Sequence, residues 1–445
     1  MVRRLREAGF EAYWAGGCVR DLLLGRLPKD YDVVTSARPE QVQALFPRTV
    51  PVGAAFGVVQ VLAGAPDGRS YPVEVATFRT EGPYEDGRHP ASVTFADARA
   101  DASRRDFTVN ALFFDPVDGA LLDWVGGLED LRAGVVRTVG DPDRRFAEDR
   151  LRVLRAVRLA CELGFQIEPK TLEAVRRHAA ATAQLSPERV RDELVRLLTG
   201  PRRGLALRLL GECGLLPVLL PEVAALKGVD QPVEFHPEGD VFEHTVRVLD
   251  ALRDPSPTLA FGALLHDVGK PATREVADRV RFPRHEEVGA RIAEGVLRRL
   301  RFPNEATDRV VFLVREHMRI KDFPRMREAK RRRLAATPGF EELVELLRAD
   351  CVGSHGDLSA YEWIRRWLAE RPAESLRPPR LVTGHDLIAL GFRPGPLFRE
   401  VLEAVYTAQL EGQVRTREEA VQLAAREAAR RAAKGEGSQG VEPHR

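Results

Sequence analysis

The 445-residue chain reads as an α/β N-terminal unit built on a mixed sheet, followed by an all-helical remainder. Over residues 1–140, short apolar runs alternate with Gly and Pro breaks, the pattern of strands interleaved with helices. From about Asp141 onward strand-like alternation becomes rare, and apolar residues recur at helical spacing. A Pro-rich joint, residues 371–380, then precedes a last helical segment over 384–434, and the final residues 435–445 are expected to be disordered. This length calls for several domains, and 44% apolar with 30% charged residues is ordinary for a globular protein. A net charge of +2 means that any nucleic-acid surface must come from local clustering of arginine and lysine. Cys18, Cys161, Cys213 and Cys351 are scattered, which argues against a disulfide framework or a zinc ribbon. With no leader segment and no long apolar run, the expectation is a cytoplasmic protein without a membrane partner.

In chain order, strands are predicted at 11–15, 31–35, 58–62 and 73–78, with helices near 19–24 and 39–46. Residues 80–91 are polar and rich in turn formers, so they read as a loop. Continuous helix is predicted over 144–163 and again over 170–177, and a helix–turn piece over 264–270.

The stretch 15–36 carries the first chemistry. Gly16 and Gly17 lack β-carbons at the start of a short helix, so backbone amides can approach a phosphate, and Arg20 can bond that phosphate. Asp30 and Asp32 are expected on one strand, at i and i+2, facing the same side. Two adjacent carboxylates repel unless a divalent cation lies between them. A phosphate cradle followed by such a pair is the outline of a nucleotidyltransferase.

Further motifs appear in order: RRDFTVNA at 104–111, DWVGG at 123–127, and EDRLRVLRAVR at 148–158. Together with GGCVRDLLLG and DYD they resemble the bacterial class II tRNA nucleotidyltransferases, the CCA-adding and poly(A) polymerase family, with an HD domain behind. Trp124 stands where that family usually has proline. The resemblance implies a nucleotidyltransferase head at 1–140, a helical neck at 141–200, an HD body at 201–370 and a helical tail at 371–434. It also implies CTP, ATP and the tRNA 3′ acceptor end as partners, and Mg²⁺ at Asp30 and Asp32. A loop of full length at 80–91 accompanies family members able to add the terminal A. It leaves open whether the whole CCA or A alone is added.

Asp149, Arg152, Arg155 and Arg158 recur every third residue and, on one helix, form a stripe about 14 Å long. The resemblance makes this the nucleotide-selecting helix. Hydrogen-bond logic shows why that is feasible: cytosine and adenine pair an amine with a bare ring nitrogen, whereas uracil and guanine pair a carbonyl with an N–H. An acceptor-only carboxylate beside a donor-only guanidinium matches the first two alone. Arg155 and Arg158 would hold phosphates or buttress the pair. Arg105 and Asp106 are assigned to the sugar and phosphate region, and Asn110 to support of the turn. Glu74 is a candidate third carboxylate, although a strand glutamate is more often simply solvated.

In the helical part, His244, His266, Asp267, His285, His317 and Asp350 follow the order H…HD…H…H…D, resembling HD phosphohydrolases. Imidazoles with carboxylates suit Ni²⁺, Mn²⁺ or Fe²⁺. Lys270 is placed to meet phosphate or to cap a helix end. Basic runs at 330–333 and 426–434 are candidates for tRNA backbone contact. Two rivals follow from the same residues. One is poly(A) polymerase, disfavoured because 52–59 lacks that group's arginine pair; the other is an HD phosphatase or phosphodiesterase whose head only holds RNA.

Overall fold

The computed structural model describes residues 1–50, 57–64, 70–82, 92–232 and 239–436. Among the described residues, nine short strands precede Asp123: β1 (Ala12–Ala15), β2 (Asp32–Thr35), β3 (Thr49–Val50), β4 (Val58–Gly64), β5 (Ser70–Thr77), β6 (Arg79–Glu81), β7 (Val93–Phe95), β8 (Phe113–Asp115) and β9 (Ala120–Leu122). Seven of them form one mixed sheet in the order β3-β4-β5-β2-β1-β8-β9. Only the central β2–β5 pair is parallel; β1 runs antiparallel to β2, with Ala15 opposite Asp32. Alternation explains the burial: Val33 and Val75 face a core with Leu5, Val42 and Val59, whereas Val34 faces a second core with Phe78, Phe113 and Ala102.

Helices account for nearly everything beyond residue 141, as the periodicity predicts; the described strands there are two-residue pairs. One apolar core runs from Cys18, Val19 and Phe107 in the head through Leu154 and Leu194 to Phe261, Leu313 and Trp367. The final helices, Gly384–Ala389, Pro396–Leu410 and Arg417–Glu436, have a separate core around Val401, Val405 and Ala424. All four cysteines are buried thiols without a disulfide. Trp124, the departure from the family pattern, sets its ring edge-on to Phe113 at 5.6 Å.

Four sequence expectations need correction. Strand β2 begins at Asp32, so Asp30 lies just before it rather than on it. The helix predicted over 144–163 is two, Pro142–Glu148 and Leu151–Leu163. Asp149 between them is extended (φ −137°, ψ 105°) because its carboxylate accepts the Leu151 N–H at 3.1 Å and so starts the second helix. The 80–91 loop starts as strand β6, paired with β7; residues 83–91 lie outside the described residues. The last helix extends to Glu436, two residues into the segment expected to be disordered, and 437–445 lie outside the described residues.

Candidate active site and metal centre

Sheet register assembles the head cluster. Asp32 opens β2, and the parallel pairing of Val33 with Val75 sets Glu74 level with it on the neighbouring strand. Asp32 keeps solvent access, yet surrounding protein desolvates it, and the charges of Asp30 and Glu74 add to that; its pKa is pushed up to about 6 against the pull of Arg105. Glu74, weighed in the sequence as a solvated strand residue, therefore belongs to the same electrostatic cluster. Gly16 sits directly above. Its φ of 80° is glycine territory, and a β-carbon there would meet Arg105 Nη1 at 3.0 Å and Asp32 Oδ2 at 4.0 Å.

From this turn a polar chain leads to the neck. Arg105 Nη1 donates to the Asn110 carbonyl at 3.2 Å and lies over the Phe113 ring. Arg20, almost fully buried, donates to Asn110 Oδ1 at 2.7 Å and pairs with Asp21. Asn110 in turn donates to Asp106 Oδ1 at 3.3 Å. Asp106 Oδ2 meets Arg155 Nη2 at 2.6 Å; burial alone would raise its pKa, but Arg155 and Arg152 hold it below the usual carboxylate range. Arg152 is 8% exposed and donates through Nη1 to Glu148 at 2.8 Å and to the Arg145 carbonyl. Asp149 accepts from Arg189 at 2.9 and 3.0 Å. Arg158 pairs with Glu193 and Glu162.

The second cluster lies where helix ends meet. His244 comes from the helix Val241–Ala251, His266 and Asp267 follow Pro257–Leu265, and His285 opens His285–Arg299. His317 follows Asn304–Glu316, and Asp350 stands on Phe340–Gly353. All six are buried. Three of the imidazoles are tied the same way: Nδ1 of His266, His285 and His317 lies 2.7–2.9 Å from the carbonyl three residues earlier. A carbonyl only accepts, so each Nδ1 carries a proton and each ring turns its Nε2 to the centre. There His266 Nε2 faces His244 Nε2 at 3.3 Å, and His285 Nε2 faces His317 Nε2 at 3.2 Å. Burial, with His266 and His285 adding to it, pushes His317 well below the ordinary imidazole pKa. A divalent cation does fit. Asp267 turns Oδ2 to His266 (3.2 Å) and Oδ1 to His285 (3.3 Å), serving both pairs. Carbonyl tethers on metal-binding imidazoles are the expected outer support of such a site. Lys270 and Lys321 flank it, at 2.7 Å from Asp267 and 2.9 Å from Asp350.

Comparison with known proteins bears on both clusters. A family model described as "Poly A polymerase head domain" matches residues 12–137, one described as "Probable RNA and SrmB- binding site of polymerase A" matches 164–227, and "HD domain" matches 241–349. The CCA-adding enzyme of Geobacillus stearothermophilus is 35% identical over 428 residues, 95% of this chain and 94% of the relative. The chain belongs to the CCA-adding enzyme family. The CCA-adding enzyme of Geobacillus kaustophilus is 34% identical over 95% of this chain. Among solved structures of the family, the Bacillus stearothermophilus enzyme in complex with CTP superposes with a TM-score of 0.73 at 31% identity, covering 97% of each chain. The Thermotoga maritima CCA-adding enzyme complexed with tRNA shares the fold, with a TM-score of 0.57, 20% identity and coverage of 95% of this chain and 92% of that one.

Family membership accords with the motifs the sequence offers, and the fold brings Gly16, Arg20, Asp32, Arg105, Asp106, Arg155 and Arg152 into one polar chain. Sequence reasoning missed two residues, Glu148 and Arg189, which hold Arg152 and Asp149. Glu148 sits one turn before Arg152, a spacing that signals an ion pair. Arg189 is 40 residues from Asp149, and nothing local announces it. No described helix is long and apolar enough to cross a membrane.

Proposed function

We propose that this chain completes or repairs the 3′ CCA end of tRNA from CTP and ATP, without a nucleic-acid template, in the cytoplasm. The reading is supported above all by the continuous polar path from Asp32, beneath the Gly16 turn, to Arg152 on the helix Leu151–Leu163. Asp30 and Asp32, with Glu74, are the ligands for Mg²⁺, which supplies activation of the RNA 3′-hydroxyl and neutralisation of the departing pyrophosphate. The 3′-oxygen forms a bond to the α-phosphorus, the bond from that phosphorus to the bridging oxygen breaks, and pyrophosphate leaves with the electron pair. Gly16 and Gly17 leave room for the triphosphate, with Arg20 and Arg105 alongside.

Asp149 and Arg152 read the base. Arg152 engages its described partners through Nη1, leaving Nε and Nη2 as donors, and Asp149 offers only acceptors. Arg155 positions Asp106, while Arg158, tied to Glu193, buttresses the helix. In domain terms we read 1–140 as head, 141–200 as neck, 201–370 as body and 371–434 as tail. Relatives spanning the whole chain are CCA-adding enzymes, which favours CCA addition over poly(A) synthesis. Residues 52–56, part of the stretch that distinguishes the two in sequence, lie outside the described residues. The test offers tRNAs ending before C, at C and at CC to the purified protein with each nucleoside triphosphate, followed by sequencing. Ordered C, C, A addition is expected; homopolymeric A tails would overturn the reading.

A second activity is favoured by the facing Nε2 atoms of the buried cluster: metal-dependent hydrolysis of a phosphate ester in the body. His244, His266, Asp267, His285 and His317 would hold the ion, with Asp350 joined through His244 at 3.1 Å; Ni²⁺, Mn²⁺ or Fe²⁺ would suit, and a metal-bound water would be the chemistry supplied. Release of phosphate from p-nitrophenyl phosphate by protein loaded with each ion, and its absence in H266A, is the expected result.

A further inference from the structure

Asp101 lies outside every motif read from the sequence, on the short helix Ala98–Ser103, and it is completely buried. A buried carboxylate is costly unless it is paired and hydrogen-bonded, and this one is held by two guanidinium groups. Oδ1 accepts from Arg104 Nε at 3.0 Å and Nη2 at 2.7 Å, and from the Arg79 backbone N–H at 3.3 Å. Oδ2 accepts from Arg105 Nε at 3.4 Å and Nη2 at 3.3 Å. Arg104 and Arg105 follow Asp101 by three and four residues, the spacing at which side chains meet across a helical turn. The Arg105 guanidinium thereby has three anchors: the Asp101 carboxylate, the Asn110 carbonyl at 3.2 Å from Nη1, and the Phe113 ring face at 4.9 Å. Its Nη1 and Asp32 Oδ2 crowd one point, at 3.0 and 4.0 Å from where a Gly16 β-carbon would stand. Yet among the described residues Arg105 pairs with Asp101 and not with Asp32. An arginine side chain carries about 2 kcal/mol of rotamer entropy, so a guanidinium keeps one pose only where its surroundings hold it there. Without Asp101, Asp32, whose charge Arg105 already feels, is the group to which it would turn.

We infer that Asp101 is a positioning residue of the nucleotidyl-transfer site: it holds the Arg105 guanidinium ready for the triphosphate and off Asp32, leaving that carboxylate to a divalent cation. This rests on the nucleotidyltransferase reading given above. Asp101 touches neither substrate nor metal; it acts through Arg105, removing from each binding event the cost of orienting a loose cation. A purely structural role, in which Asp101 only fastens the helix Ala98–Ser103 to Arg79, predicts something else. Its effect would then be indifferent both to Mg²⁺ and to the presence of Arg105.

The experiment titrates the full chain with CTP by isothermal titration calorimetry, without tRNA so that no turnover occurs, at limiting and at saturating Mg²⁺. Parent, D101N, R105A, R105K and D101N with R105A are compared, with tRNA affinity and Tm as controls. D101N is expected to weaken CTP binding about tenfold at limiting Mg²⁺, as suits one misplaced charged donor. Much of that loss is expected to be recovered at saturating Mg²⁺, when Arg105 is displaced from Asp32. Added to R105A, D101N is expected to cost nothing further. The KM for CTP in C addition follows the same pattern, while tRNA affinity stays at the parent level. R105K reads the same property without disturbing the buried carboxylate. A flexible ammonium cannot hold Asp101 and the Asn110 carbonyl together, so its loss should likewise be largest at limiting Mg²⁺. Unchanged binding in D101N, a loss that saturating Mg²⁺ leaves undiminished, or a further loss in the R105A background overturns the inference while the nucleotidyltransferase reading stands. If D101N does not fold, R105K decides, and parent-like binding there overturns the inference. If the parent neither binds CTP nor extends tRNA, the nucleotidyltransferase reading falls and takes this inference with it.

Discussion

The two clusters of candidate metal ligands are built in opposite ways. In the head, Asp30, Asp32 and Glu74 are exposed, Asp30 and Glu74 add to the rise in the Asp32 pKa, and Arg105 pulls against it. In the body, six groups are buried, three of the imidazoles are pre-set by carbonyl tethers, and two lysines flank the set. On the metal reading proposed above, the open acidic pair would exchange its ions with each incoming triphosphate, whereas the buried imidazoles would hold theirs longer.

The sharpest way to break this contrast is to remove one site at a time. D30A with D32A is expected to lower nucleotide incorporation by about a thousandfold or more, while the metal content of the body, read by plasma emission, is unchanged. Residual incorporation within tenfold of the parent would remove these aspartates from the chemistry. The converse change, H266A, should cost the body its metal and spare CCA addition to within about twofold; it disrupts only the closed cluster. Dialysis against a chelator should separate the two without mutation. CCA addition stops at once and returns with Mg²⁺, while body metal leaves over a far longer time.

A smaller effect probes the link between head and neck. R189A frees the Asp149 carboxylate from its ion pair, so discrimination of CTP over UTP should fall by about tenfold with little change in tRNA affinity. D149A should lose at least as much; equal selectivity in both variants and the parent would end the side-chain template idea.

The smallest expected effect concerns pH. Because the folded-state pKa of Asp32 is raised to about 6 from 3.8, the folded chain binds that proton more tightly than the unfolded one. The group therefore opposes folding above pH 6, and that penalty disappears as pH falls towards 4. D32N should raise the Tm of metal-free protein by a few degrees at pH 8, and the gain should vanish near pH 4. A gain independent of pH would mean that the carboxylates do not repel.

Much of this was legible in the chain because it is local. Gly-Gly at a strand end, D-x-D and the H…HD…H…H…D order are short or ordered signals, and helical periodicity marked the body correctly. What escaped depends on long-range pairing. Glu74 reads as a solvated strand residue until the parallel β2–β5 register sets it beside Asp32. Periodicity ran straight through Asp149, yet the residue breaks the helix by capping Leu151; an aspartate just before an apolar run was the available signal. Arg189 had no local signature, since its partner lies 40 residues away.

The separate core of the last three helices has a mechanical consequence. That small arm is joined to the rest mainly by polar contacts, Arg333 with Glu403 and the Ala329 N–H with Glu411, together with the arginine-rich joint at 371–380. The large core that runs from Cys18, Val19 and Phe107 through the neck and body should melt as one unit, whereas the arm loosens first as salt screens its seam. Brief trypsin treatment in high salt should then clip the joint and release a fragment of roughly seven kilodaltons, leaving both metal clusters on a single folded remnant.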